Sequence, residues 1–411
     1  RSALSCPRVG NPFFFTDSSF AMPRILFVTS TPLAPWRGAS HRVRHDLAAL
    51  IALGHTVDFL APPGSAAPDV PPGVRSLSTP LLPFCRNLPP GPSLRRFVTD
   101  VVMAAIAVAA CNRHAYDLMH GIDDGGIVTG LAGRLTKTPW VYERTGDFVP
   151  EWPRGLSRFW HAVHRLLEQR ALRHASAVIG NDTGMVELFS RLNCRSRACV
   201  IPDIPAIVEE ISTAARNLAM ARYRTSPDQK LITCVGSYTR FQGLDLFFNA
   251  MPHVLSACPH ARFVVVGGDT AEIRRMNEAL DRAGIADSVC FPGRIETVEL
   301  AALLSVSDVL VSPRRAGVTA PIKVLDYLKS GTPIVAADTP ANRAILSAEN
   351  AVMTRPIPAE FAEGIVRLCE SPHLGAELAR QGRETLRRER RSPQAFRQAL
   401  DHCYAYVLST T

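Results

Sequence analysis

Twice along its length the sequence repeats one rhythm: a short apolar run, a loop rich in glycine or proline, then a longer amphipathic stretch. Strands buried on both faces read as continuous apolar runs, and the helices joining parallel strands supply the amphipathic stretches. The rhythm therefore predicts an α/β architecture of parallel sheets flanked by helices. In the first series the run at 24–29 ends in a loop over 31–38, and a helix is expected over about 40–53, stopped by Gly54. The next strand is 56–60, with further candidates at 118–120, 140–142, 177–179 and 198–201. The second series places strands at 231–235, 263–266, 289–291, 309–311 and 334–336.

A chain of 411 residues is too long for one ordinary core. The expected division is a first domain over 22–205, a second over 206–392, and a final helix over 393–411 that crosses back to the first. Residues 1–21 precede Met22, a natural start, and are expected to be a poorly ordered extension. Two doubly wound, Rossmann-like domains face each other across a cleft, and open α/β sheets bind ligands at the carboxyl ends of their strands.

Composition narrows the function. The 10 cysteines are scattered singly, without metal-ligand spacing, which fits reduced thiols in a cytoplasmic protein. The net charge of +9 is spread over both halves, so it is no nucleic-acid tail and nucleic acid is not an expected partner. It favours anionic small molecules or an anionic membrane surface. The longest apolar run, 98–111, contains Asp100 and is too short to span a bilayer, so it reads as a buried helix. Asp123 and Asp124 adjoin on one loop, adjacent carboxylates point apart, and the chain has no Asp-x-Asp; no metal is expected.

The second series carries an ordered set of motifs: Gly236 with Gln242-Gly243-Leu244-Asp245, Val266-Gly267-Gly268, Phe291-Pro292-Gly293, Ser312-Pro313, then Pro321-Ile322-Lys323 to Asp326, and Gly331-Thr332-Pro333. The first series adds Trp36-Arg37-Gly38-Ala39-Ser40 and Arg42 after its first strand. This set, from about Met22 to the end, resembles family 4 of the retaining GT-B glycosyltransferases. The resemblance implies a GT-B fold with an acceptor-side first domain and a nucleotide-sugar donor in the second. It implies a nucleotide-diphosphate sugar as substrate with no separate cofactor, and a glycan or lipid-linked acceptor in cell-envelope polysaccharide or glycolipid synthesis.

The residue types suit that chemistry. A departing nucleotide diphosphate gains negative charge, and a helix N-terminus offers unpaired N–H groups and partial positive charge to hold it. Thr319-Ala320-Pro321-Ile322-Lys323 reads as such a start, with Lys323 as cation; the alternative is an ordinary core helix with Lys323 in solvent. The resemblance assigns the diphosphate to Thr319, Ile322, Lys323 and Arg240, beside Gly236, the ribose to Asp326, and the base to Gly293 and Arg294. Departures from the family are definite. The first Glu of its donor signature falls on Val318, and the second is shortened to Asp326. The usual Arg and Lys of the first glycine loop fall on Ser237 and Gln242, which leaves Arg240, Arg314 and Arg315 as nearby cations.

In the first domain, Gly38 and Arg42 are assigned to the cleft beside the acceptor. Thr145 stands at the family's usual histidine, where Glu143 or Asp147 offers polar contacts to sugar or acceptor; the alternative is a solvated loop with an ion pair. The segment 153–173 is a basic helix that either rests on an anionic membrane or packs Trp160, Val163 and Leu167 inward. Two further readings differ in class. A non-catalytic GT-B protein would bind a nucleotide or glycan only. An NAD-dependent oxidoreductase would show G-x-G-x-x-G after the first strand, which 29–38 lacks.

Overall fold

The computed structural model describes residues 22–30, 38–63, 70–77, 79–80, 92–146, 157–192, 194, 197–207, 210–316 and 320–410. The segments 1–21, 31–37 and 317–319 lie outside them, and with these Thr319, Val318 and most of the first glycine loop.

The first domain is a seven-stranded parallel sheet. Its strands are β1 (Arg24–Thr29), β2 (Thr56–Leu60), β3 (Arg75–Leu77), β4 (Leu118–Ile122), β5 (Trp140–Arg144), β6 (Ala177–Gly180) and β7 (Arg197–Val200). They lie in the order β3-β2-β1-β4-β5-β6-β7. The helices are α1 (Gly38–Ala52), α2 (Leu94–Arg113), α3 (Gly125–Thr136), α4 (Ser157–His174) and α5 (Thr183–Arg191). The apolar run at 98–111 is the body of α2. Ser93 caps it through the Arg96 amide, and its buried positions Thr99, Asp100, Met103, Ala104, Ala107 and Ala110 follow the helical period. β3 was not among the sequence candidates: two of its three residues are exposed, and Arg75 ties it to the buried Asp58 of β2 at 2.7 Å.

After helix α6 (Thr213–Tyr223) the second domain forms a six-stranded parallel sheet in the order β10-β9-β8-β11-β12-β13. These strands are β8 (Lys230–Val235), β9 (Ala261–Val266), β10 (Val289–Gly293), β11 (Val309–Ser312), β12 (Ile334–Ala337) and β13 (Val352–Thr354). Around them lie α7 (Leu244–Ala257), α8 (Thr270–Arg282), α9 (Thr297–Val306), α10 (Ile322–Ser330), α11 (Pro340–Arg343), α12 (Pro358–Glu370) and α13 (Pro372–Arg388). Asp269 and Glu272 start α8 with a reciprocal capping box.

In each sheet the chain reverses direction of travel at one place, between β1 and β4 in the first and between β8 and β11 in the second. These are the switch points at which crevices open beyond the strand ends. The last helix, α14 (Pro393–Thr410), returns to the first domain. Phe396, Leu400, Cys403, Tyr404 and Val407 are buried with Ile25, Phe27, Val43 and Leu47 in one core cluster.

Candidate functional site

At the second switch point, glycine packing brings three strand ends together. The Gly236 N–H donates to the Val266 carbonyl at 3.0 Å, and the Gly267 N–H to the Gly293 carbonyl at 2.8 Å. Gly267 has φ +118, and a Cβ there would lie 2.1 Å from the Gly236 oxygen. Gly243, at φ +71, starts α7 under the Pro313 carbonyl, 2.0 Å from where its Cβ would stand. Side chains at either position would push the loop away from its neighbour.

Lys323 sits in the first turn of α10, facing this loop. Its ammonium donates to the Val235 carbonyl at 2.7 Å and to Gln242 Oε1 at 2.8 Å, and it lies 3.1 Å from where a Gly236 Cβ would stand. The cation is thus held at the glycine loop rather than in open solvent. Burial, reinforced by the nearby Arg314, lowers its pKa to about 8. Tyr327, one turn on, accepts the Val235 N–H at 2.9 Å and fixes the helix to the end of β8. Ile322 opens α10 behind Pro321.

Ser237 pairs with Thr239 at 3.0 Å, and Arg240 occupies an exposed 3-10 turn. With Tyr238, Phe248, Arg275 and Arg315, Arg240 walls a cavity of about 540 Å³. Gly293 has φ +72, and Arg294 after it is exposed. Asp326, expected at the ribose, is engaged by the crossing between domains. Its carboxylate accepts the Ile207 N–H at 2.9 Å, while Lys329 grips the Ile207 carbonyl at 2.6 Å. The residue is buried, and its pKa rises to about 7 through burial, against backbone hydrogen bonds from Ile207 and Ala206. Three residues along a helix leave an offset of roughly 60° around the axis, so Asp326 meets the crossing segment beside the face on which Lys323 and Tyr327 meet the end of β8.

In the first domain, Gly38 is the first residue of α1, and Arg42, expected at the acceptor, is buried beneath the strand ends. Its guanidinium meets Glu143 at 2.5 Å and Asp203 at 3.2 Å, donates to the Ile201 carbonyl at 2.8 Å, and lies over the Phe396 ring. Burial alone would lower its pKa; the Glu143, Asp46 and Asp203 carboxylates outweigh that and keep it charged. Glu143 also meets His120 at 2.9 Å, and the other His120 nitrogen contacts the Tyr404 hydroxyl at 2.6 Å. Arg42 and Glu143 therefore hold the domain and its returning helix together. His120 completes the same structural cluster.

Thr145 and Asp123 follow the ends of β5 and β4, beside the first switch point. Thr145 donates its N–H to Asp123 Oδ1 at 3.0 Å and its hydroxyl to Oδ2 at 2.9 Å. Asp123 has φ +50, a strained value for a non-glycine residue, and burial raises its pKa to about 6. Its neighbour Asp124 diverges to Arg96 at 3.1 Å and His164 at 2.7 Å. Asp147 lies outside the described residues. Sequence reasoning missed Arg96, Asn181 and Tyr404, whose partners are far away along the chain and carry no local signature.

On α4, Trp160, Val163 and Leu167 turn toward α2 and α3, lining a slot with Phe97, Ile127 and Leu131. On its outer face Phe159 is 57% and Leu166 64% exposed. Among the described residues no helix is long and apolar enough to cross a membrane.

Two family descriptions match the chain, in the order of its two sheets. "Glycosyl transferase 4-like domain" matches residues 37–203, and "Glycosyl transferases group 1" matches 229–371. The chain belongs to the GT-B glycosyltransferases of family 4. Similar solved structures place the same fold over nearly the whole chain. Sucrose-phosphate synthase from Thermosynechococcus elongatus matches with TM-score 0.75 and 19% identity, covering 95% of this chain and 100% of that one. Anabaena Alr3699/HepE in complex with UDP matches with TM-score 0.70 and 17% identity, covering 93% and 99%. Among curated relatives, the 2-deoxystreptamine N-acetyl-D-glucosaminyltransferase of Streptomyces fradiae is 29% identical over 249 residues, 54% of this chain and 58% of its own. The phosphatidyl-myo-inositol mannosyltransferase of Mycobacterium leprae is 25% identical over 165 residues, 39% of this chain and 42% of its own. The chain spans about half the length of these two relatives.

Proposed function

We propose that the protein transfers a sugar from a nucleotide-diphosphate sugar to a hydroxyl group, with retention of anomeric configuration and no separate cofactor. The observation that carries this reading is the Lys323 ammonium, fixed at the head of α10 against the Gly236 loop at the second switch point. A diphosphate there would meet a cation, a helix N-terminus and glycine backbone at once. Arg240 and Arg314 stand next to the loop and add charge, and the backbone at Gly293 and the exposed Arg294 is the proposed base contact. In the transfer, the bond from the sugar C1 to the diphosphate breaks. The acceptor oxygen bonds to C1 on the same face, and its proton passes to the leaving phosphate oxygen.

The acceptors named for the relatives, 2-deoxystreptamine and phosphatidyl-myo-inositol, are both six-membered carbocycles bearing hydroxyl groups. We take the acceptor to be a ring of that kind, free or lipid-linked, bound near Asp123 and Thr145. Exposed Phe159 and Leu166 on a helix that also carries Arg158, Arg165 and Arg170 suit a cytoplasmic protein that touches an anionic membrane from the side.

The test is calorimetry with UDP, GDP and ADP, followed by transfer assays with their hexose conjugates. Acceptors would be 2-deoxystreptamine and vesicles containing phosphatidylinositol. Micromolar binding of one nucleotide diphosphate and transfer from its sugar are expected. Failure to bind any of them would overturn the reading, whereas binding without transfer or donor hydrolysis would make the chain a nucleotide-binding GT-B protein. Sedimentation with anionic vesicles tests the membrane contact.

A further inference from the structure

Both segments that pass between the domains converge on one residue. The first crossing leaves β7 through Ile201 and Asp203; the second runs from α13 to α14 through Arg390 and Arg391. Arg391 donates from Nη1 to the Asp203 carbonyl at 2.8 Å, so the second crossing is tied to the first. Arg390 beside it has φ +55, a sharp backbone reversal at the bend. On its other side the Asp203 carboxylate takes Arg42 at 3.2 Å through Oδ1 and the Asn181 amide at 2.9 Å through Oδ2.

Asn181 is where this clamp meets the candidate acceptor site. It follows β6, is buried, and uses the second N–H of the same amide to hold the Thr145 carbonyl at 2.8 Å. Thr145 in turn holds Asp123 by its backbone and its hydroxyl. Among the described residues the Asn181 carbonyl oxygen has no hydrogen-bond partner, so the two N–H bonds alone set the orientation of the side chain. A primary amide donates to two acceptors at once, a property that Ser, Asp and the aliphatic residues lack.

We propose that Asn181 is a positioning residue that couples the two interdomain crossings, through Asp203, to the Asp123–Thr145 pair. Movement of one domain against the other shifts Asp203 and Arg391, and the amide carries that shift to the Thr145 carbonyl. The site assignment of that pair rests on the function proposed above; the coupling itself does not.

Amide hydrogen exchange of the protein without ligand tests it. Arg391→Met cuts the second crossing from Asp203 while leaving Asn181 and Thr145 untouched. Exchange over residues 141–146 should then speed up roughly three- to tenfold, and the strand at 261–266 should not change. Asn181→Ala should speed the same segment, and adding Arg391→Met to it should produce no further change. Two effects that multiply independently, or an unchanged segment in Arg391→Met, would overturn the coupling. Acceleration in both segments alike would also overturn it, by making the effect a general loss of stability. Because no nucleotide enters this experiment, failure of nucleotide binding and failure of the coupling are read separately.

Discussion

The Asp326 carboxylate accepts the Ile207 N–H at 2.9 Å, joining the first turns of α10 to the crossing between domains. That oxygen is already taken by the crossing segment. Asp326→Asn keeps an acceptor oxygen, so nucleotide affinity should stay within about twofold of the parent. Asp326→Leu removes the acceptor and should destabilise the protein by about 1–3 kcal/mol in urea unfolding. A tenfold or greater loss of nucleoside affinity in Asp326→Asn would return the residue to the ribose.

Lys323→Ala should weaken nucleotide-diphosphate binding roughly 10- to 100-fold and nucleoside binding hardly at all. Equal losses for both ligands would refute its role. The ammonium titrates near 8 in the free protein, so diphosphate affinity should fall between pH 7.5 and 9.5. An anion favours the charged amine, so binding in that range should take up a proton, seen by calorimetry in buffers of different ionisation heat.

Arg42→Met leaves Glu143, Asp46 and Asp203 buried without their shared cation. Removing one partner of such a cluster is expected to destabilise by about 3–5 kcal/mol, measured by urea unfolding at pH 7. A change under about 1 kcal/mol would show that the cluster contributes little.

Burial, reinforced by the Asp124 charge, raises the Asp100 pKa from 3.8 to about 7. Between those values the folded chain retains a proton that the unfolded chain has released. Its contribution is therefore fully present below pH 4 and is lost as pH rises through 7. Asp100→Asn should match the parent near pH 4 and exceed it in thermal midpoint at pH 8. A variant less stable at pH 8 than at pH 4, relative to the parent, would contradict the sign.

Much of this was legible in the residues because strand burial and helix amphipathicity are local. The runs at 24–29, 56–60 and 231–235 each fall on a strand, and the glycines at 243 and 267 lie where close backbone approach requires them. Lys323 was readable for the same reason, since proline and lysine at a helix start are a local pattern. The direction of Asp326 was not, because it depends on Ile207, 119 positions away. Arg42 looked like a cleft residue beside a glycine loop, and only the distant Glu143, Asp203 and Phe396 show why it is buried. β3 is short and largely exposed and leaves no apolar run to read, and β13 leaves only the brief run at 351–353.

Because α14 supplies Phe396, Leu400, Tyr404 and Val407 to the sheet that begins at Arg24, the half of the protein made first is finished last. On the ribosome, the nascent amino-terminal sheet must wait with an open flank while the whole second domain is synthesised. The second domain has its own interior and is free to fold during that wait. Order of translation and order of completion are thus inverted, and a fragment ending before α14 would expose a greasy seam to any chaperone that meets it.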